Sequence, residues 1–489
     1  MDTLQDALLY INGEMRPSAN TQFYDNINPW TGAPCGKAAD ATADDVEQAI
    51  SCARTAFDNT DWPTNHEQRY AQVTKFVEAL CEARAELVKI ARLEAGSAIG
   101  AAAMAQVDGA LNGAKDYLEC YKQLEWKQDR GIKVTMGANT QRYVVREAAG
   151  VVGAITPWNV PLYVNIGKVI AALLAGCTVV LKPAPDTPLM GSIMGELAIK
   201  AGLPAGVFNV VTSSHPAMAG EMLTTDPRVD LISFTGSTAV GKLIMKNGAD
   251  TLKRVFLELG GKSAYVVLED AEDFDMKIMS AMVVFHAGQG CAYPTRLLVP
   301  KSRYDHACTL LEMAYGGFAE MWGKFDDESC IMGPLISKKQ LGRVHDYVEI
   351  GKAEGARLLA GGNLRPDMGD GFFIEPTCFV DCTNDMRIAR EEIFGPVLVV
   401  IPFEDEEDAI RIANDNDYGL GGAVYGGPES AMRVANAIRA GALSVNGGMG
   451  ITGDLPFGGY KQSGMGREWG LEGIEEFTEI KAIGVGVPA

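Results

Sequence analysis

Apolar residues recur at helical spacing over residues 42–57. Val46, Ile50, Ala53 and Phe57 share one face, Thr42 is placed to cap the helix, and Asp45 follows three residues on. A longer helix is predicted over about residues 67–94, stopping before Gly96. Over residues 133–146, two runs rich in β-branched and aromatic residues flank Gly137-Ala138-Asn139, which reads as an antiparallel pair. From 150 to 269 the pattern alternates. Strand-like apolar runs at 151–155, 178–181, 207–211, 231–234 and 264–268 are mostly separated by helical stretches. This is the signature of parallel βαβ units, which bind ligands at the carboxyl ends of their strands. A second α/β alternation runs from about 276 to 445, with helices predicted at 305–318, 339–354 and 406–413. No repeat or long linker interrupts the chain, so the two α/β regions are expected to pack together with a site between them.

The 489 residues are enough for two or three domains with substantial cores. Acidic residues outnumber Lys and Arg by 63 to 43, a formal charge of −20 that repels phosphate backbones, so nucleic acid is not an expected partner. The start, MDTLQDALLY, lacks the basic region of a signal peptide. The longest apolar run, 169–181, falls short of the ~20 residues a membrane-spanning helix needs and reads as a buried helix and strand. Ten cysteines are scattered without a CxxC pair, and five histidines are dispersed. Reduced core thiols, a cytoplasmic location and no metal site are the expectation.

The dinucleotide fingerprint GxGxxG after a strand is absent. Instead, the strand at 231–234 runs into Thr235-Gly236-Ser237, a turn at a helix start whose N–H groups can face a pyrophosphate or simply connect two elements. Cys291 lies in Gly288-Gln289-Gly290-Cys291, read as a flexible turn after an apolar helix; it is either an inert thiol or a nucleophile that the glycines leave open to approach. Glu258, within Leu257-Glu258-Leu259-Gly260-Gly261-Lys262, is a lone carboxylate in an apolar run. It is either a partnered strand-end residue or a general base raised by burial. Asn159, between a strand and a helix, can cap the helix or donate to an oxyanion.

These residues carry a resemblance. Pro157-Trp158-Asn159, Lys182-Pro183, Phe234-Thr235-Gly236-Ser237, Glu258 to Lys262, Gly288 to Cys291, Glu391-Glu392-Ile393-Phe394-Gly395-Pro396 and Pro456-Phe457-Gly458-Gly459 stand in the order of the aldehyde dehydrogenase superfamily, which the chain resembles over essentially its whole length. The resemblance implies an α/β fold with a parallel-sheet cofactor domain (1–124 and 147–259), an α/β catalytic domain (260–458) and a small β oligomerisation arm (125–146 and 476–489), hence a homodimer or homotetramer. It implies Cys291 as nucleophile, Asn159 and the Cys291 N–H as the oxyanion hole, Glu258 as the base that releases the acid from a thioester, and Lys168 and Glu468 as aids to proton movement. NAD, with NADP possible, would lie against Ile155, Thr156, Pro157, Trp158, Lys182, Ala184 and Pro185 on one side. Phe234, Thr235, Gly236, Ser237, Val240, Leu259, Gly260, Glu392 and Phe394 would complete its site.

Three departures shape the expectation. Pro185 stands where NAD-preferring members often carry an acidic residue for the ribose, so NAD should be favoured only modestly, with Asp186 as a substitute carboxylate. The second glycine-rich turn is replaced by Thr212-Ser213-Ser214-His215, with His215 read as a surface loop residue or as one lying near the cofactor's adenosine. Gly167 stands where members acting on small aldehydes often place a large aromatic, which suggests open space, the alternative being close helix packing at this glycine. With Val160, Tyr163, Val164, Phe285, Tyr293, Met449, Ile451 and Phe457 as the other walls, the expected substrate is a bulky apolar aldehyde, aromatic or terpenoid. An anionic semialdehyde would need Arg296 to face the pocket. The alternatives are a CoA-acylating semialdehyde dehydrogenase, against which Glu258 speaks, and a non-catalytic binding protein on the same fold, against which Cys291 and Glu258 both speak.

Overall fold

The computed structural model describes residues 3–318 and 321–488. The alternating segment forms the centre of an eight-stranded sheet. β1 (Val151–Ile155) leads through α1 (Pro161–Ala175) to β2 (Thr178–Lys182), and β3 (Phe208–Val210), β4 (Leu231–Thr235), α2 (Thr238–Gly248) and β5 (Arg254–Glu258) follow. The order β3-β2-β1-β4-β5 is parallel throughout, with short antiparallel strands on both edges. Both faces of β1 and β2 are buried, which is why these runs are apolar without alternation. Pro161 starts α1 and Gly176, at φ +94°, ends it; every α1 residue except Tyr163 is buried. The apolar run at 169–181 is thus a core helix and strand.

After β5 the chain crosses to a second, seven-stranded sheet. β6 (Ser263–Val267) pairs in parallel with β7 (Pro294–Pro300), and the helix α3 (Lys338–Ala353) precedes β8 (Val397–Phe403), which pairs with β7 on its other side. The run at 264–268 therefore belongs to this sheet and not to the preceding βαβ series. Glu258 ends the last long strand of one sheet and Ser263 begins the other, so the segment between them lies where the two layers meet.

The predicted first helix is present as Ala43–Asn59, with Thr42 and Asp45 forming a capping box. The predicted 67–94 helix is two, His66–Glu82 and Arg84–Glu94, broken at Ala83 (φ −80°, ψ 4°). No Gly or Pro marks the break; Leu80 before it and Leu87 after it are both buried. The antiparallel pair is longer than predicted, Lys127–Thr135 with Ala138–Ala148, and Thr478–Gly486 adds a third strand. This sheet exposes Ile132, Val134, Ile480 and Val485. Ala489, the end of the expected arm, lies outside the described residues. Among the described residues no helix is long and apolar enough to cross a membrane, and no group of His, Cys, Asp and Glu is placed to hold a metal ion.

Candidate active site

Two cavities open along the carboxyl ends of the parallel strands. The first, about 490 Å³, is bounded by Ile155, Thr156, Lys182, Ala184, Pro185, Phe234 and Val240, all expected cofactor residues. The second, about 310 Å³, is bounded by the rest: Pro157, Trp158, Thr235, Gly236, Ser237, Leu259, Gly260, Glu392 and Phe394. Asn159, Val160, Val164 and Cys291 line the same space.

The glycines after Glu258 have a steric reason. A Cβ on Gly260 would stand 2.4 Å from a Glu392 carboxylate oxygen, and one on Gly261 would stand 2.4 Å from the Cys291 carbonyl. The Gly261 N–H donates to Glu392 Oε1 at 2.9 Å. Their missing side chains let the segment that carries Glu392 and the loop that carries Cys291 close onto the crossover.

That loop is not the end of an apolar helix. Phe285–Gly288 is a tight turn in which His286 (φ 48°), Ala287 (φ 50°) and Gly288 (φ 68°) are successively left-handed. Side chains from other elements hold it. Asn159 Nδ2 donates to the Gln289 carbonyl at 2.9 Å, and the Ile336 N–H donates to Gln289 Oε1 at 2.9 Å. Gln106, in the π-helical stretch Ala102–Asp108, donates to the Asn159 carbonyl at 3.2 Å and to Ser97 Oγ, while Ser97 meets His286 Nδ1 at 3.2 Å. Burial pulls His286 down to about 4, so the ring is neutral near pH 7. Burial, followed by the charges of Glu258, Glu392 and Glu468, pushes the Cys291 thiol up to about 12. The resting sulfur is a thiol and needs a base or a positive charge nearby to react.

Glu258 is buried and is not among the residues lining this cavity, and neither carboxylate oxygen has a hydrogen-bond partner in the protein. Gly458 leaves room for it: a Cβ there would lie 2.9 Å from Oε1. Burial, then the charge of Glu468, raises the Glu258 carboxyl well above the usual range, against the pull of Lys168 and Arg467. Lys168 and Glu468 form an ion pair at 2.5 Å, side chains 0% and 4% exposed, with Lys168 also donating to Ser233 Oγ at 3.0 Å. So deep a pair is costly to break. Lys168→Met should destabilise the protein by about 3–5 kcal/mol, because Glu468 is left charged and unpaired. The check is urea unfolding; a loss within about 0.5 kcal/mol would show that Glu468 finds another partner.

The expected substrate walls are only partly gathered. Val160 and Val164 line the Cys291 cavity, but Phe285 and Tyr293 border a separate hollow of about 150 Å³. Met449 is 75% exposed and Ile451 37%, on the loop after Ala442–Val445, while Phe457 is buried and bridges to Glu468. Gly167 opens no space: a Cβ there would stand 3.2 Å from the Trp469 indole and 3.4 Å from Glu468 Oε2, so it is a close-packing glycine. Arg296 is buried and donates to the carbonyls of Lys262, Ile412 and Ala413, away from the cavity. Asp186 is not among the residues lining the larger cavity; Glu221 is the acidic one there. The 212–215 turn is tied down, Ser214 donating to Asp40 through both N–H and hydroxyl, and His215 is exposed.

Sequence reasoning missed several residues. Lys339, Gln340 and Arg343, on the first turns of α3, line the Cys291 cavity. Gln340 and Arg343 donate to the carbonyls of Phe394 and Glu392 at 2.8 and 2.6 Å. The spacing of Lys339 and Arg343 on one helical face was an available signal. Nothing local marked Gln106, Ser97 or Trp469.

The chain matches the model of the aldehyde dehydrogenase family over residues 15–483. Its fold superposes on the Mycobacterium tuberculosis aldehyde dehydrogenase complexed with NAD+ with a TM-score of 0.93, at 40% identity over 100% of this chain and 99% of that one. A betaine aldehyde dehydrogenase point mutant from Staphylococcus aureus, in complex with NAD+, gives 0.93 at 36% identity, covering 98% and 97%. An NAD-dependent aldehyde dehydrogenase from Sinorhizobium meliloti gives 0.93 at 36%, covering 99% and 96%. A thiol in a glycine-built turn, two cavities along a parallel sheet and a family match over nearly the whole length agree: the chain belongs to the aldehyde dehydrogenase family.

Proposed function

We propose that this protein oxidises an aldehyde to its carboxylic acid, with NAD as the preferred cofactor, through a thioester on Cys291. The observation that carries the reading is Cys291 at the wall of a cavity shared with Asn159 and Glu392, beside a second cavity of about 490 Å³ lined by Thr156, Lys182 and Val240. The residues fit a dinucleotide. Thr156 and Thr235, at the carboxyl ends of β1 and β4, carry buried hydroxyls without partners, and Lys182 is a buried cation that donates to the Pro183 carbonyl. Burial pulls Lys182 down to about 8. Lys182 would hold the adenosine ribose, Ser237 and the turn before α2 the pyrophosphate, and Glu392 the nicotinamide ribose. When bound, the nicotinamide supplies the hydride acceptor.

The chain's own groups do the rest. Once its proton has passed to solvent, the Cys291 thiolate adds to the aldehyde carbon, the Asn159 amide with the Cys291 N–H stabilises the oxyanion, and collapse of that adduct with loss of hydride to the acceptor leaves the thioester. Glu258, once ionised and turned toward the cavity, takes a proton from water, which attacks the thioester; the acid leaves and the thiol is restored. Because burial raises the Glu258 carboxyl, its ionised fraction grows with pH, and acid release should speed up with it. The arm, with its exposed apolar strands, suits a homodimer or homotetramer.

For the substrate we propose an apolar aldehyde about one aromatic ring wide. Val160 and Val164 give the Cys291 cavity apolar flanks, and Arg296 is committed elsewhere, so a carboxylated semialdehyde lacks a partner. The space once assigned to Gly167 is filled, which removes the support for a much bulkier terpenoid. The test is a panel of aldehydes with NAD and NADP, read by the absorbance of the reduced cofactor. Aromatic aldehydes with NAD should give the highest kcat/KM; no reduction with any aldehyde would overturn the reading.

Pro185 supplies no carboxylate to the adenosine cavity, so neither attraction for a ribose hydroxyl nor repulsion of a 2′-phosphate acts from that position. Pro185→Glu should raise the preference for NAD over NADP about tenfold, one charged hydrogen bond's worth. An unchanged ratio would place discrimination elsewhere, with Glu221 the next candidate.

A further inference from the structure

The indole of Trp469 sits in a slot cut by two glycines. A Cβ on Gly113, in the helix Gly109–Tyr121, would stand 2.6 Å from Cζ3, and one on Gly167 would stand 3.2 Å from Cζ2. Tyr117 stacks on the indole with centroids 4.9 Å apart, and Tyr163 leans on it at 4.5 Å. The Trp469 N–H donates to the Tyr117 hydroxyl at 2.7 Å, which donates to the Gly167 carbonyl at 3.1 Å. The residue is wholly buried, and its indole N–H has no partner, so the ring is held for its shape and not for a hydrogen bond.

Its backbone is the second observation. Trp469 has φ +63° and ψ 170°, a region that residues other than glycine avoid. Gly470, next in the chain, is also left-handed. Strain of this kind persists only where the surroundings over-determine it. Here it aims the indole between Gly113 and Gly167, one residue beyond the Lys168-paired Glu468.

We propose that Trp469 is a specificity-determining positioning residue: arriving from the C-terminal segment, its indole supplies the aromatic bulk that α1 leaves out at Gly167, and by backing Tyr163 it sets the width of the aldehyde approach to Cys291. The inference rests on the reading of the Cys291 cavity as the aldehyde site. Tyr163 is the one α1 residue not fully buried; it does not itself line that cavity but stands one turn beyond Asn159 and Val160, which do, and is near enough to Cys291 for the charge of the sulfur to act on its hydroxyl. Trp469 touches no substrate; it acts by denying Tyr163 room to retreat. The ring at 469 and the hydrogen at 167 are then two halves of one shape, and an aromatic moved from one position to the other should serve.

The test exchanges them. Trp469→Gly removes the ring and suits the positive φ; Gly167→Trp is added to it in a double variant. Two ratios are measured in each protein: kcat/KM for 2-naphthaldehyde over propanal with NAD, and the rate of Cys291 alkylation by a naphthyl-bearing iodoacetamide over iodoacetamide, followed by mass spectrometry. Trp469→Gly should raise both ratios about tenfold, and the double variant should bring both back to within about threefold of the parent. Trp469→Phe, with a smaller ring, should fall between and keeps the test open if the glycine variant does not fold. Equal loss on both substrates, or a double variant no different from Trp469→Gly, would overturn the proposal. If the parent oxidises neither aldehyde, the aldehyde reading fails, while the alkylation ratio still decides whether Trp469 sets the width.

Discussion

Cys291→Ala is expected to lower aldehyde oxidation by more than about 10⁴-fold while leaving the fold and nucleotide binding intact, because the covalent route is removed outright. Several cysteines compete for the role on paper, but Cys35, Cys120, Cys177, Cys308, Cys330, Cys378 and Cys382 are buried in the core, and Cys52 and Cys81, half-buried on helices, line neither cavity along the sheet. Cys291 lines one of them, on a loop that Gln106, Ser97 and Gln289 hold in place. Alanine at 291 keeps the backbone N–H of the proposed oxyanion hole and all of these loop contacts, so NAD affinity, measured by fluorescence titration, should change less than about threefold. Activity above a hundredth of the parent would mean that another group carries the acyl chain.

Glu258→Gln is expected to stall the cycle after hydride transfer: a burst of reduced cofactor, close to one per active site, then turnover slowed by about 10²–10⁴-fold. The amide has the shape of the acid but cannot take a proton from water. Gly458 already leaves room at this side chain, so the variant should fold. The pH profile gives a sharper reading. In the parent, burial raises the Glu258 carboxyl, so protonated Glu258 dominates at low pH and steady-state turnover should climb as pH rises through its ionisation. In the variant that climb should vanish, and the remaining slow rate should rise only with hydroxide. The ionised carboxylate also holds the Cys291 thiol up, so its removal should speed the burst itself if Glu258 does not also deprotonate the thiol. A slower burst would assign it both tasks.

Much of the scaffold could be read from single residues. Thr42 and Asp45 announced a capping box, and the unbroken apolar runs of β1 and β2 announced a doubly covered parallel sheet. The cofactor residues carried over from the motifs each line one of the two cavities, because strand ends and glycine turns are local features whose position follows from the topology. What could not be read depends on partners distant in sequence. Gly167 reads as open space or as close helix packing, and a lone sequence cannot choose between them because it does not show Trp469 arriving to fill the place. In the left-handed turn His286-Ala287-Gly288 only the last residue is a glycine, so the conformation of the first two has no local signal; the Ser97 hydroxyl meets the His286 ring there. The helix break at Ala83 is likewise set by packing and not by a breaker residue. Arg296 and Asp186, whose directions the sequence leaves open, do not reach the cavities: Arg296 donates to the Lys262, Ile412 and Ala413 carbonyls, and Asp186 is not among the residues lining the larger cavity.

Everything in the proposed cycle depends on which atom carries the acyl group. The direct measurement is mass spectrometry of the Glu258→Gln protein quenched in acid within the burst, after mixing with benzaldehyde and NAD. A benzoyl adduct is expected on the peptide containing Cys291, in an amount matching the reduced cofactor formed and absent when NAD is omitted. A full burst with no adduct at Cys291, or with the adduct on another cysteine, would contradict that cycle.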